Sequence, residues 1–272
     1  MKKSKEQIKM GRPYQPDNYL RKVIQQKKHI PVSFDDARVK PLIQIVKKWG
    51  GSQIAAVKPS GSTAKGTAVK GSADLDVFIS LKSSTTETLG QVYDSLFNYF
   101  GKHTKSHGLK RRRQNVSVRI FYKGLEIDFV PGKKIAGYHV WHSLHVRRDA
   151  KTWTQTNIDH HISLVKNSGR VEEIILLKIW RDINKLAFPS IYLEMIVLEA
   201  LHGRNKGNIA NNFQIILEYL SSKGTFRTKS IYDPANGNNK ISGLLTMAEK
   251  RNINSTANKS LKLLPDWKKI IY

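Results

Sequence analysis

The 272-residue chain is strongly basic, with 47 Lys and Arg residues against 21 Asp and Glu residues and a formal charge of +26. A surplus of this size predicts polyanionic partners, nucleotides or nucleic acids ahead of an anionic membrane. The absence of cysteine excludes disulfides, thiolate zinc sites and a cysteine nucleophile. No apolar run approaches the ~20 residues of a membrane span and no signal-peptide pattern is present, so we expect a soluble, cytoplasmic protein.

The beginning of the chain is predicted to be helical after a tail. Residues 1–15 are basic and polar and are expected to form a loose tail. A short helix is predicted from Tyr19 to Lys28. A second, from Phe34 to Trp49, has apolar residues at helical spacing and two glycines after it, which commonly end a helix. Pro41 fits this helix only in its first turn, where a missing N–H is harmless.

The stretch Gly61–Leu81 organises the rest of the chain. A short apolar strand leads into Gly61-Ser62 and a loop of small residues, after which Asp74 and Asp76 begin a second apolar strand. Alternate side chains of a strand share a face, so the two carboxylates should point the same way while the residue between them turns into the core.

These residues together predict a site for a metal-bound triphosphate. Two adjacent carboxylates repel each other, which makes each easier to protonate than a lone one, and a divalent ion removes the conflict. Mg²⁺ is commonly held by one or two carboxylates together with substrate phosphates. Small residues in the loop let backbone N–H groups approach a phosphate closely. The loop is not a P-loop, because no Gly-Lys-Ser/Thr follows its glycines into a helix.

A helix is predicted from Thr86 to Phe100, followed by a basic run and a hairpin. The run, Lys102 to Arg113, ends in four consecutive cationic residues: Lys110, Arg111, Arg112 and Arg113. It is either a solvated loop or a nucleic-acid contact through phosphates, which would be blind to base sequence. The hairpin pairs residues 115–122 with residues 125–130 across a Lys-Gly turn, and its second strand carries Asp128 on the polar face.

The segment 132–153 has no clear periodicity. It carries three histidines at three-residue spacing: His139, His142 and His145. A zinc site is one interpretation of this spacing, although the segment lacks both a clear helix and a fourth ligand.

Beyond the histidines the pattern becomes helical, which predicts a second lobe. The helix Val171–Leu186 is apolar around most of its circumference and should be buried. Lys178 inside it either extends to water or reaches a buried anion, and Ser190 is a candidate N-cap of the next helix. The predicted fold class is α+β, a core of mixed β-sheet flanked by helices (residues 16–155) packed against a C-terminal helical lobe (residues 156–272).

Gly61-Ser62, Asp74-x-Asp76 and the later Asp128 resemble the active site of the DNA polymerase β-like nucleotidyltransferase superfamily. More closely, the chain resembles the oligoadenylate synthetase and cyclic GMP–AMP synthase branch and its bacterial relatives, the CD-NTases (SMODS-type second-messenger synthases). Further matches lie in the second lobe: Lys178 in Leu-Leu-Lys-Ile-Trp, Ser190-x-x-Leu-Glu194 and Asp233-Pro-Ala-Asn…Asn-Asn239. The resemblance covers roughly residues 35 to 265 and implies a nucleotidyltransferase core with a helical lobe.

The resemblance implies a two-metal nucleotidyl transfer from an NTP with release of pyrophosphate. The implied cofactor is a pair of Mg²⁺ (or Mn²⁺) ions. The catalytic residues and metal ligands that it implies are Asp74, Asp76 and Asp128. Of these, Asp128 would also help to deprotonate the attacking hydroxyl. The nucleotide-binding residues that it implies are Gly61, Ser62, Lys178 and Ser190.

Two kinds of acceptor fit this resemblance. The first hypothesis is synthesis of a cyclic or linear oligonucleotide second messenger from NTPs, ATP among them, as in antiviral defence. The second is template-independent addition of nucleotides to RNA 3′ ends, as in archaeal-type CCA-adding or tailing enzymes. The absence of the extra tail domain of CCA-adding enzymes favours the first, and the charge favours RNA as an acceptor or activator. The three Asp argue against a silent RNA-binding module, and no membrane partner is expected.

Overall fold

The computed structural model describes residues 15–30, 32–71, 74–147 and 152–272, and the predicted basic tail, residues 1–15, lies almost wholly outside these ranges. Within them the chain forms a mixed β-sheet with helices and a separate group of C-terminal helices, so the predicted α+β class is confirmed. None of the helices in the described ranges has the length and apolar character that crossing a bilayer requires.

The sheet has seven strands among the described residues: β1 (Ile54–Pro59), β2 (Leu75–Leu81), β3 (Lys110–Arg113), β4 (Val118–Tyr122), β5 (Leu125–Ile135), β6 (Tyr138–His145) and β7 (Trp153–Thr156). Their main order is β1-β2-β5-β4-β3, and β6 pairs with both β5 and β7. Only β2 and β5 run parallel; the other pairs are antiparallel. The second half of the long strand β5 pairs with β6 where its pairing with β4 has ended, and β6 pairs in turn with β7.

The helices of the described ranges are α1 (Pro16–Lys27), α2 (Lys40–Gly50), α3 (Gly61–Lys65), α4 (Leu89–Lys102), α5 (Thr104–His107), α6 (Ile158–Lys166), α7 (Val171–Ile183), α8 (Ser190–Ala200), α9 (Ile209–Ser221) and α10 (Met247–Leu261). A capping box starts α4, in which Thr88 and Gln91 satisfy each other's backbone N–H. Pro41 lies in the first turn of α2, as predicted.

Apolar side chains form two cores. In the first, α2 and α4 cover one face of the sheet, and the residues on either side of the acidic positions, such as Val77 and Phe129, point into it. The second joins α6 to α10 with α1, whose Leu20 is fully buried there. Although α1 precedes the sheet in sequence, it packs on the C-terminal helices. The predicted domain boundary between residues 155 and 156 stays a proposal.

Three local predictions were wrong. The segment 132–153 contains the end of β5, all of β6 and the first residue of β7, and it showed no period of two because the first residues of β6 are exposed in succession. The basic run ends in the edge strand β3 and not in a loop. Helix α2 begins at Lys40 and not at Phe34, since the Asp36 carboxylate accepts a hydrogen bond from the Arg38 backbone N–H (2.8 Å) and holds a turn before the helix.

Candidate active site

The three predicted carboxylates converge at the junction of β2 and β5. Asp76 on β2 lies directly opposite Asp128 on β5 in the parallel register, and Asp74 precedes β2 by one residue. Because strand side chains alternate, all three point away from the face that α2 and α4 cover. The tertiary pairing therefore brings together acidic residues more than fifty positions apart in the sequence.

Burial and like charges make two of these carboxyls easy to protonate. Burial, followed by the neighbouring Asp128 and Asp74 carboxylates, raises the pKa of Asp76 from 3.8 to about 6. Burial is also the main cause of a raised pKa at Asp74, although the nearby Arg119 guanidinium opposes it. Asp76 therefore carries a charge that is poorly compensated by the protein and would be stabilised by a cation.

Arg119, which the sequence analysis did not single out, lies among these carboxylates. It is opposite Asp128 on the antiparallel strand β4. Its Nε and Nη2 donate to the two Oδ atoms of Asp128 at 2.8 and 2.7 Å, and Nη2 also donates to Asp74 Oδ2 at 2.5 Å. Its Nη1 donates to Glu126 Oε2 at 2.7 Å. One guanidinium thus neutralises several carboxylates at once.

The donor set fits a divalent metal when Arg119 gives up part of its contacts. In the described parts of the chain no three His, Asp or Glu side chains are arranged to hold one metal ion, and the guanidinium lies between Asp74 and Asp128. The raised pKa of Asp76 and the hard carboxylate oxygens still suit Mg²⁺ or Mn²⁺. The number and identity of the ions stay a proposal.

We expect Arg119 and a divalent ion to compete for the same carboxylates. Arg119→Met should lower the melting temperature in EDTA, because it leaves Asp128 and Asp74 without their cation at a cost of about 1–3 kcal/mol. The same variant should gain more stability from added Mn²⁺ than the unchanged chain does. Melting curves with EDTA and with MnCl₂ measure both effects, and Arg113→Met, which removes the ion pair with Asp94 on the edge strand, is the control. An Mn²⁺-induced shift no larger than in the unchanged chain would contradict the expectation.

Gly61 allows the loop to pass directly over Asp76. The residue has φ +60°, and a Cβ built on it would lie 1.7 Å from Asp76 Oδ2. The Ser60 backbone N–H donates to the Asp76 carbonyl at 2.8 Å, which fixes this approach. The sequence predicts a loop here, whereas Gly61 and Ser62 begin the short helix α3. The Ser62 carbonyl accepts a hydrogen bond from the Thr67 N–H.

Gly61→Ala should therefore displace the Asp76 carboxylate and reduce nucleotidyl transfer by roughly a hundredfold or more, the order of loss expected from a misplacement of about 1 Å. Gly66→Ala is the matched control, because Gly66 also has a positive φ of +75° but has no atom within 4 Å of a built Cβ. Both variants carry similar backbone strain, so only the first should lose activity well beyond its loss of stability. Equal activities of the two variants would contradict the proximity argument.

Lys178 lies deep in the interface between the lobes. Its Nζ donates to Glu194 Oε1 and Thr67 Oγ1 at 2.9 Å each and to the Thr67 carbonyl at 3.3 Å. Glu194 Oε2 accepts from Lys65 Nζ at 2.7 Å. All three donors of Lys178 are therefore satisfied within the protein, whereas Lys65 lines the same cleft as Asp76. A phosphate role for Lys178 stays a proposal, and Lys65 is a cation that the sequence analysis missed.

Ser190 is the first residue of α8, and its Oγ accepts from Arg181 Nη1 at 3.1 Å. The prediction that Ser190 is the N-cap was wrong, since Pro189 holds that position and no side chain caps the helix. Its neighbour Ile191 lines the cleft. A contact of Ser190 with phosphate stays a proposal.

A cavity of about 280 Å³ opens beside Asp76 between the two lobes. Its helical side includes His161 and Asp233, whose Nε2 and Oδ1 lie 3.0 Å apart. Burial opposes ionisation of Asp233, but the His161 contact and the Ala235 and Asn239 hydrogen bonds outweigh it and lower the pKa of that carboxyl. These bonds hold the loop 233–239, which carries one of the motifs noted in the sequence, against the cleft.

The four consecutive cations lie on the edge strand β3, two strands away from Asp128. The guanidiniums of Arg111 and Arg113 both lie about 4 Å from the centre of the Phe97 ring. Arg113 also forms an ion pair with Asp94. Lys110 and Arg112 are exposed. A nucleic-acid contact by this group stays a proposal, and three of its four members already lie over aromatic rings of the chain.

The three histidines do not converge. His142 is buried, with Nε2 2.8 Å from Ser80 Oγ, while His145 lies beside the Tyr93 ring. Positions 142 and 145 fall on opposite faces of β6. Among the described residues no metal-binding group of three such side chains is present, so the zinc interpretation is not supported.

Comparisons with known proteins agree with this geometry. Residues 39–152 match the family model of the nucleotidyltransferase domain. Residues 39–152 therefore form a nucleotidyltransferase domain. The match spans strands β1 to β6 and all three predicted carboxylates, and it agrees with the superfamily that the motifs resembled.

The chain is similar to proteins of the CD-NTase branch. It is 26% identical over 181 residues to the cyclic AMP-AMP-AMP synthase of Escherichia coli strain MS 115-1, an alignment that covers 60% of this chain and 56% of that enzyme. The chain therefore aligns with little more than half the length of this relative. The structure of E. coli MS115-1 CdnC with ATP has a TM-score of 0.74 at 20% identity and covers 93% of this chain and 96% of that one, which shows a shared fold.

A second relative is an enzyme of the kind that adds nucleotides to RNA 3′ ends. The CCA-adding enzyme of Methanosarcina barkeri is 34% identical over 84 residues, but the alignment covers only 29% of this nucleotidyltransferase and 18% of that enzyme. The aligned part is too short for the activity of the whole enzyme to be assigned to this chain.

Proposed function

We propose that the chain is a metal-dependent enzyme that joins NTPs into a cyclic or linear oligonucleotide second messenger in the cytoplasm, in a role such as antiviral defence. The observation that carries the proposal is the in-register pair Asp76 and Asp128, which faces a glycine loop and an interlobe cleft. The similarity to a cyclic AMP-AMP-AMP synthase supports an oligonucleotide product, with ATP among the substrates.

Two divalent ions, Mg²⁺ or Mn²⁺, would be held by Asp74, Asp76 and Asp128 and would stabilise the oxygens that enter and leave the α-phosphorus. The fit rests on the raised pKa of Asp76, which indicates a carboxylate in need of a cation. Arg119 would then keep its hydrogen bond from Nη1 to Glu126 Oε2 and its hydrogen bond from Nε to Asp128 Oδ1. The second of these bonds would orient the Asp128 carboxylate.

The chain's own residues would bind the triphosphate and move one proton. The positive φ of Gly61 lets its backbone, with Ser62, approach the phosphates. Lys65, oriented by Glu194, would offset the charge that develops on pyrophosphate. The Asp128 carboxylate would accept the proton of the attacking ribose hydroxyl as its oxygen bonds to the α-phosphorus and pyrophosphate leaves.

RNA is proposed as an activator, because a charge of +26 exceeds what binding of NTPs requires. A second candidate function is addition of nucleotides to RNA 3′ ends, which the partial match to a CCA-adding enzyme favours. Both functions use the same three carboxylates and differ only in the acceptor.

Incubation with labelled NTPs and Mg²⁺ or Mn²⁺, with and without tRNA or duplex RNA, tests the proposal. Small phosphatase-resistant products, absent with Asp76→Ala, are the expected result, and a higher rate with RNA would identify the activator. Label attached to the added RNA would instead support the tailing function. An active enzyme whose rate is the same with and without RNA would contradict the activator role.

A further inference from the structure

Strands β6 and β7 form a two-stranded extension that carries several exposed or partly exposed large apolar side chains. Tyr138 is 61% exposed and Val140 44% exposed, and the Trp141 side chain is also partly exposed. Large apolar side chains are normally scattered on a soluble surface, and a group of them marks a place where another molecule binds. We call Tyr138, Trp141 and the cavity between them the aromatic platform.

The aromatic platform is connected to the catalytic cleft. Its cavity, about 320 Å³, is lined by Ile135, Tyr138, Trp141 and Gln155. Gln155 on β7 also lines the cleft that contains Asp76. The Gln155 carbonyl accepts a hydrogen bond from Asn236 Nδ2 at 3.2 Å, which ties the shared wall to the helical lobe. A chain-like ligand could therefore leave the cleft and continue over the platform.

The charge around the aromatic platform fits a polyanion. Residues 131–147 contain no Asp or Glu, but they contain three Lys or Arg residues. Among them Lys134, on the part of β5 that pairs with β6, makes no ion pair with an acidic side chain in the described ranges. Aromatic rings beside a lysine without an acidic partner suit a ligand with flat bases and phosphates more than an apolar protein surface.

From this arrangement we propose that the aromatic platform binds a segment of single-stranded RNA, with bases stacked on Tyr138 and Trp141 and the backbone near Lys134. Single-stranded bases can stack on side chains, whereas the bases of a duplex are already stacked on each other. The inference deepens the proposed function, because it rests on the RNA contact in that function and gives the contact a surface. It also shifts that contact from Lys110–Arg113 to the same side of the molecule as the cleft.

Fluorescence anisotropy with a labelled oligouridylate of about a dozen nucleotides, a length within the usual range of single-strand sites, tests the inference on the full chain without NTPs. The double variant Tyr138→Ala/Trp141→Ala should bind roughly tenfold or more weakly, the loss expected from one or two stacked bases. The double variant Tyr138→Phe/Trp141→Phe keeps the rings and should retain most of the affinity. Tyr272→Ala removes a ring that is also 61% exposed but lies at the C-terminus, and it should bind normally.

Two results would overturn the inference. One is equal oligouridylate affinity of the alanine double variant and the unchanged chain at matched melting temperatures. The other is an alanine double variant that binds RNA normally but elutes as a smaller species than the unchanged chain in size-exclusion chromatography. That result would make the platform a contact with a second copy of the chain. The outcome is separate from that of the proposed function, since binding is measured without catalysis. A chain that binds oligouridylate through the platform but never transfers nucleotides would refute only the proposed function.

Discussion

Replacing Asp76 by asparagine should abolish nucleotidyl transfer and at the same time stabilise the folded chain above pH 6. The activity is lost because the amide has one neutral oxygen in place of a carboxylate that would hold both metal ions. The gain in stability follows from the position of Asp76, which is largely buried beside Asp74 and Asp128 and has no ion pair of its own among the described residues.

The pH dependence follows from the raised pKa of Asp76. In the folded chain it is about 6, against 3.8 for the ordinary value. Between these two pH values the folded state binds more protons than the unfolded state, so this carboxyl lowers stability as the pH rises from about 4 to about 6. Above pH 6 the loss is constant and amounts to at most about 3 kcal/mol. Asparagine does not titrate and removes this loss.

Urea unfolding at several pH values, in EDTA so that no ion binds, measures the difference. We expect Asp76→Asn to be more stable than the unchanged chain at pH 8 by about 1–3 kcal/mol, with the difference vanishing near pH 4. Asp94→Asn is the control, because Asp94 is exposed and pairs with Arg113; its effect should be small and should not follow this pH profile. Equal or lower stability of Asp76→Asn at pH 8 would show that the carboxylate is compensated in the folded chain.

The acidic part of the site was predictable from sequence because strand periodicity determines it. Asp74 and Asp76 flank a buried Leu75, and Asp128 lies between apolar residues of a hairpin strand. Once each strand places its apolar residues in the core, its acidic residues must face the other way. The sequence did not contain the pairing of β2 with β5, which only the motif resemblance supplied.

Arg119 and Lys65 were not predicted, because each is one cation among 47 in the chain. What distinguishes Arg119 is its position opposite Asp128 across β4 and β5, a fact of register and not of local pattern. A weak signal was available, since Arg119 alternates with the apolar residues Val118 and Ile120 and so had to share the face of Asp128. Lys65 gains its role only when α8 brings Glu194 to it.

The β6–β7 extension was missed for a different reason. The first residues of β6 are exposed in succession and lack the alternation that marks a half-buried strand. Its histidines were considered as zinc ligands because of their spacing, whereas the strand separates them. Exposed aromatic residues that break a burial pattern are also what distinguish this segment as a binding surface.

The second large effect is expected at Glu194, which pairs with one lysine of its own helical lobe and with one lysine of the other lobe. Its carboxylate is 1% exposed and accepts from Lys178 of α7 and from Lys65 of α3. Burial alone would raise the pKa of Glu194, but the two ammonium groups outweigh it and lower that pKa. The group is therefore ionised and compensated, in contrast to Asp76.

Glu194→Gln should lower the free energy of unfolding by about 3–5 kcal/mol, because it leaves Lys178 charged and buried without its partner. Glu199→Gln on the same helix is the matched control: Glu199 pairs with Lys229 on the surface, where both side chains are more than a third exposed, and its loss should cost less than about 1 kcal/mol. Urea unfolding of both variants at pH 7 provides the comparison.

A further variant separates the loss of the ion pair from damage to the interface. Lys178→Met/Glu194→Leu removes both buried charges and should be more stable than Glu194→Gln alone, because an apolar pair of similar volume carries no desolvation cost. Lys65 can then turn toward the cleft, since its side chain is already 12% exposed. A Glu194→Gln variant no less stable than Glu199→Gln would mean that Lys178 is neutral in the folded chain. The buried group would then be a polar contact between the lobes and not an ion pair, and Lys65 would depend on the cleft and its substrate for its orientation.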